Sequence, residues 1–198
     1  RDTWDISGGT LYTSEQIIEK LKNYISYMKF SGGGITVTGG EPTLQAEFVT
    51  DIFKKCKVLG VHTALDTSGF ADIPKVEELL KFTDLVLLDI KQASDEKHKE
   101  ITGVSNKKIR EFAMYLSQKN IPVWIRYVLV PGFTDSDEDL NAAASFIKSM
   151  RNVEKVEVLP YHSMGAYKWE ALGEKYKLSG VKEPTPQQVE AARRILSL

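Results

Sequence analysis

Gly39-Gly40-Glu41-Pro42 places a carboxylate directly behind two glycines. Glycines at such a point let backbone amides and carbonyls approach a ligand closely, and Pro42 fixes the turn into a helix. A tight strand-to-helix turn with an acidic first turn explains the same residues without a ligand. The stretch GGGITVTGGEP is neither a dinucleotide fingerprint nor a P-loop, since it lacks both spacings and no lysine follows. Asp66 stands in LDTSG and Asp89 in LLDIK, each behind an apolar run. One such aspartate is explained by turn formation or helix capping. Two at equivalent positions of successive strands would converge, and a cation or a ligand ammonium would relieve their repulsion. Lys91 offers a positive charge to an anionic group, or is a solvated loop lysine. Arg126 lies inside the apolar run WIRYV and requires a partner, because burying an unpaired charge is costly. A structural ion pair and a ligand clamp satisfy it equally. His162, after LPY, can hydrogen-bond a ligand or move a proton; taken alone it reads as a loop histidine.

Other reactive types have plainer readings. His98 in DEKHKE reads as solvated helical surface, and His62 at the start of a strand has no role. Cys56 falls on the apolar stripe of a helix, where a buried small hydrophobe is expected. No Ser-His-Asp elbow, HExxH or EF-hand pattern is present.

The elements that must position these groups alternate along the chain. Strands are expected at residues 35–38, 61–66, 85–89, 123–130 and 156–160, with starts 24 to 38 residues apart. That spacing is near the ~30 of a βαβ unit. The nearly continuous apolar runs VLLDI and IRYVLV predict strands buried on both faces. Thr13 with Gln16 forms a capping box before a face of Ile17, Leu21, Ile25 and Met28. Pro42 and Thr43 open a second helix with Phe48, Ile52, Cys56 and Leu59, stopped by Gly60. Asp72 with Pro74, Asn106, Ser136 and Thr185 with Gln188 begin four more. Residues 163–183 are expected to be a long irregular loop, a lid or binding segment. Such alternation means α/β with a parallel sheet; an open doubly wound sheet and a full or partial barrel both satisfy it. Either way chemistry sits at the carboxyl ends of the strands. Glu41, Asp66, Asp89 with Lys91, and His162 close four of the five. The pattern is that of an enzyme's active-site face, with the reaction left open.

Composition narrows the classes. The chain has 198 residues, 26 Lys and Arg against 27 Asp and Glu, and a formal net charge of −1. That balance gives no nucleic-acid tracking surface, and no apolar run nears the ~20 residues of a membrane span. One cysteine excludes a disulfide framework or a multi-cysteine metal site, and a lone thiol fits a reducing cytoplasm. The start at Arg1, without Met or signal pattern, and the finish at Leu198 within a helical pattern suggest a single domain, 1–198, cut at both ends.

RDTWD, SGGGITVTGGEP, LDTSGF, LLDIKQ, VWIRYVLVPGF and EVLPYHSMGAYKWE, in this order, resemble the pyruvate formate-lyase activating enzymes of the radical S-adenosylmethionine superfamily. GGEP alone would indicate only the superfamily; the collinear set is specific and covers almost the whole chain. The resemblance implies an incomplete parallel (β/α) barrel, missing its first strand here and leaving the edge of residues 35–38 open. It implies a 4Fe–4S cluster on a three-cysteine loop upstream of Arg1, absent from this chain, which alone should hold no cluster and be inactive. It implies cleavage of S-adenosylmethionine by an electron from flavodoxin or a similar donor. The resulting 5′-deoxyadenosyl radical would abstract hydrogen from a glycine of pyruvate formate-lyase in the cytoplasm. The cofactor contacts carried over are Gly39, Gly40 and Glu41, then Asp89, Ile90 and Lys91, and finally His162. Asp66, Thr67, Asp89 and the backbone of Leu87 match a monovalent-cation site. Arg126 receives no assignment. Residues 1–30 carry no cysteine-rich insertion, which favours this type over activases of other glycyl-radical enzymes. A barrel lyase or isomerase, using Lys91 or a metal at Asp66 and Asp89, is the alternative.

Overall fold

The computed structural model describes residues 9–173 and 175–197; RDTWD therefore lies outside the described residues. Five parallel strands form one sheet in the order β1-β2-β3-β4-β5. They are β1 (Gly34–Val37), β2 (His62–Thr67), β3 (Leu85–Ile90), β4 (Val123–Leu129) and β5 (Val153–Pro160). Chain order equals spatial order, as in a barrel rather than a doubly wound sheet, where the order reverses. The result is an α/β fold of incomplete-barrel type.

Burial alternates along the strands. Val86, Leu88 and Ile90 of β3 and Val123, Ile125, Tyr127 and Leu129 of β4 are buried, while the residues between them are half-buried. This corrects the expectation of burial on both faces. The buried set packs in one core with helices α3 (Ala46–Val58), α4 (Ile73–Leu80), α6 (Lys107–Gln118), α7 (Asp137–Lys148) and α9 (Pro186–Leu196). The opposite face carries Asp66, Leu87, Asp89, Trp124 and Arg126 in register. It holds apolar residues and charges side by side, which a sequence average reads as a continuous apolar run.

Local signals held where caps are strong. Thr13–Gln16 and Thr185–Gln188 are capping boxes at the starts of α1 (Ser14–Lys22) and α9. Elsewhere the boundaries moved. The expected single helix through Met28 breaks at Asn23–Tyr24, where the Tyr24 N–H donates to the Leu21 carbonyl (2.8 Å). A separate α2 (Ile25–Ser31), with no buried residue, follows. Pro42 opens a 3-10 turn, Pro42–Gln45, before α3 begins. Residues 163–183 are not wholly irregular, since they hold a 3-10 turn and α8 (Ala166–Ala171). DEKHKE is helical, as α5 (Asp95–Thr102), but His98 is 2% exposed rather than solvated. Helix α5 has few apolar residues, so its buried face was invisible to periodicity.

Among the described residues strand β1 pairs only with β2 and lies at one edge of the sheet. A Cβ on Gly34 would stand 2.2 Å from the His62 carbonyl oxygen, so this pairing tolerates only glycine. Gly34→Ala is expected to lower stability by about 2 kcal/mol, read as a lower urea midpoint. An unchanged midpoint would mean that β1 can slide along β2. Among the described residues no helix is long and apolar enough to cross a membrane.

Candidate functional site

The sheet's open face and the loops at its carboxyl end form the site. Thr38, just past β1, donates to Asp66 Oδ2 at 3.0 Å, and Arg126 Nη1 donates to the same oxygen at 2.6 Å. Arg126 Nε lies 3.8 Å from Asp89 Oδ1. Cross-strand register explains the geometry: Asp89 pairs with Arg126, and Asp66 pairs with Leu87, two residues before Asp89. The two carboxylates thus share one face, with the guanidinium between them. The structure resolves the choice left open for Arg126 toward the ion pair with Asp66.

Asp89 is the unsettled member. Its Oδ1 is buried and has no hydrogen-bond partner among the described residues. Burial raises its pKa, Lys91 and Arg126 pull it back, and Asp66 and Glu41 add to the rise. A buried carboxylate oxygen with an unused lone pair suits a cationic donor such as an ammonium. Lys91, the residue beyond β3, is half-buried beside it, while the Ile90 side chain is 4% exposed and points into the core. Any contact from Ile90 to a ligand therefore uses backbone atoms.

Glu41 does something else. Its Oε1 accepts from Thr43 N (3.1 Å), Thr43 Oγ1 (2.7 Å) and Thr67 Oγ1 (2.7 Å). Its Oε2 accepts from Ser68 N (2.9 Å) and Ser68 Oγ (2.6 Å). Burial works to raise its pKa, but the bonds from Ser68, Thr43 and Thr67 outweigh it and the net shift is downward. The carboxylate is thus an internal staple joining the loops after β1 and β2. What this turn presents outward is the exposed backbone of Gly39 and Gly40, with Gly39 at φ +137°. Thr67 turns the same way: its hydroxyl is spent on Glu41 and accepts from Gly69 N at 3.0 Å. Its side chain stands apart from the Asp66–Asp89 pair.

His162 is exposed just past β5, beyond the strand that carries Arg126. Thr38 and Ser68, both hydrogen-bonded into the site, escaped the sequence reading because short hydroxyls beside turns carry no distinctive signal. Cys56 is fully buried on α3, and burial pushes its thiol pKa up to about 11. It can be no cluster ligand.

The family described as the Radical SAM superfamily matches residues 2–144. The chain belongs to the radical SAM superfamily. Within it, the chain is 51% identical over 198 residues to the pyruvate formate-lyase 1-activating enzyme of Escherichia coli K12, covering 99% of this chain and 80% of that one. It is 45% identical to the pyruvate formate-lyase-activating enzyme of Listeria monocytogenes, over 98% and 81% of the two chains. A domain of a pyruvate-formate lyase-activating enzyme from Bacteroides vulgatus superposes with a TM-score of 0.69, at 28% identity, over 83% of this chain and 93% of that one. A radical SAM methyltransferase from Sphaerobacter thermophilus, at 15% identity, shares the fold, with a TM-score of 0.68 over 93% of this chain and 55% of that one. Against these relatives the lyase or isomerase alternative falls away, and Asp66 Oδ2 is taken by Arg126 and Thr38. Superfamily membership brings S-adenosylmethionine and a 4Fe–4S cluster as cofactors. The buried, unpartnered Asp89 oxygen and the exposed glycine backbone at the same end of the sheet fit the first. The second finds no ligands here, because the chain has one cysteine and it lies in the core.

Proposed function

We propose that this radical SAM protein is the adenosylmethionine-binding part of an enzyme that activates pyruvate formate-lyase. The observation that carries the reading is the unpartnered Asp89 oxygen at the strand mouth, at the same end of the sheet as the Gly39–Gly40 turn. When bound, S-adenosylmethionine supplies the 5′-deoxyadenosyl group that takes a hydrogen atom from a glycine Cα of pyruvate formate-lyase. This chain's part is to hold the methionine end. Asp89 accepts from the ammonium, and the backbone at Gly39, Gly40 and Ile90 adds polar contacts. Lys91 faces the carboxylate, and His162 contacts the cofactor from the last strand. Glu41 shapes the glycine turn from behind. Reduced flavodoxin or a similar carrier is the proposed electron donor, and the cytoplasm the proposed compartment.

The paired aspartates also support a weak monovalent-cation site, with Asp66 and Asp89 as its charged ligands and the backbone of Thr67 and Leu87 completing it. Such an ion would share Asp66 with Arg126, so the site should bind loosely. Potassium or sodium is expected to tighten adenosylmethionine binding by roughly fivefold, about 1 kcal/mol of relieved repulsion. Titration calorimetry on this chain extended upstream by the three-cysteine loop and loaded with its cluster, in a tetramethylammonium buffer with and without added potassium, tests this. Affinity indifferent to the cation would remove the cation site. Lys91→Ala tests the main reading, with a loss of about tenfold expected from one charged hydrogen bond; unchanged affinity would overturn it.

A further inference from the structure

The backbone directly after Lys91 hangs on buried polar side chains. Gln92, 2% exposed, bonds back through Oε1 to the Ala93 N–H (2.7 Å) and Ser94 N–H (3.2 Å), and its Nε2 donates to the Phe133 carbonyl (3.2 Å). Asn106, 3% exposed, donates to the carbonyls of Gln92 (3.1 Å) and Ala93 (2.9 Å). His98, 2% exposed, completes the group. Its Nδ1 lies 2.8 Å from the Val104 carbonyl, which can only accept, and 3.0 Å from Thr102 Oγ1, whose hydroxyl donates to the His98 carbonyl at 2.8 Å. Nδ1 therefore carries the hydrogen and Nε2 is left as an acceptor. That Nε2 is buried without a protein partner among the described residues. His98 lines a recess of about 10 Å³ together with Ile90, Lys91, Gln92 and Asn106. This volume is about what one water requires, given polar partners.

We infer that His98 is a positioning residue for adenosylmethionine binding: its Nε2 anchors a water in the recess behind Ile90–Gln92, and that water fixes the backbone that aims Lys91. A buried acceptor left unbonded is costly, and a donor that fits the recess satisfies it while bridging to the loop. The charged helix α5 is thereby coupled to the site through its one buried histidine. The inference rests on the reading that Lys91 contacts the cofactor.

Two substitutions separate this role from mere support of α5. In His98→Asn the amide can take over the Nδ1 bond to Val104, but nothing reaches the Nε2 position. In His98→Gln a carbonyl oxygen reaches the Nε2 position, while the Val104 bond is lost. Hydrogen exchange of the Lys91–Ser94 amides in the 198-residue chain and adenosylmethionine titration of the extended, cluster-loaded form are measured for both. His98→Asn is expected to speed exchange and to weaken binding about fivefold to tenfold, as for one lost hydrogen bond. His98→Gln should stay within about twofold of the parent in both, on the same scale. The opposite order, or two variants behaving alike in exchange and binding, would overturn the inference. Lys91→Ala serves as the control: if it leaves affinity unchanged while His98→Asn still alters exchange, the cofactor reading has failed rather than the loop coupling.

Discussion

Replacing Asp89 with asparagine is expected to weaken S-adenosylmethionine binding on the order of 100-fold, the effect of removing one partner from a desolvated charge pair. The unliganded protein should be at least as stable as before. Both outcomes follow from the same burial. The carboxylate's pKa is raised, chiefly by desolvation, so its charge is disfavoured in the folded protein until a cationic ligand arrives. The sign follows from linkage. Above the raised pKa the charged form costs stability, and that cost fades as the pH falls through it. Ligand affinity moves the other way, falling with pH over the same window because protonated Asp89 no longer attracts an ammonium. Calorimetric titration and thermal melting of the variant check the pair of effects. Wild-type affinity in Asp89→Asn would remove this carboxylate from the site. A melting temperature lower by several degrees would instead make it structural.

Glu41→Ala should have the largest effect on folding. The side chain accepts five hydrogen bonds from Thr43, Thr67 and Ser68. Leaving these donors unbonded is expected to cost about 3 kcal/mol, or roughly 6–12 °C in melting temperature for a domain of this size. Glutamine is a poor substitute, since its NH₂ would face the Ser68 or Thr67 donors. The pKa is lowered in the folded state, so the stabilisation is present above the unfolded value of about 4.3 and is lost as pH falls through the folded one. The gap between parent and variant should therefore hold from neutral pH to about pH 5 and close in more acid solution. A gap that is small at neutral pH would show that Thr67 and Ser68 find other partners. Adenosylmethionine binding should also weaken, because the glycine turn loses its inner support.

Much of this protein was legible in its sequence. Capping boxes at Thr13 and Thr185 and the alternation of apolar strands with amphipathic helices depend on neighbours within a few residues. Local chemistry is enough to specify them. The carboxylates at the strand ends were legible too, because parallel topology sends every strand's carboxyl end to one side. What each one does was not. Glu41 and Asp89 look alike in sequence, yet one is saturated by internal donors and the other keeps a bare oxygen. Cross-strand register brought Arg126 to Asp66 rather than to a ligand, over a separation of 60 residues. Burial of His98 was likewise decided by the packing of α5 against the loop after β3, with no apolar periodicity to announce it. Sequence determines what hydrogen bonds and side chains can do within a turn or a strand. Only the folded sheet decides which charges meet, and hence which are spent on the structure and which remain for a ligand.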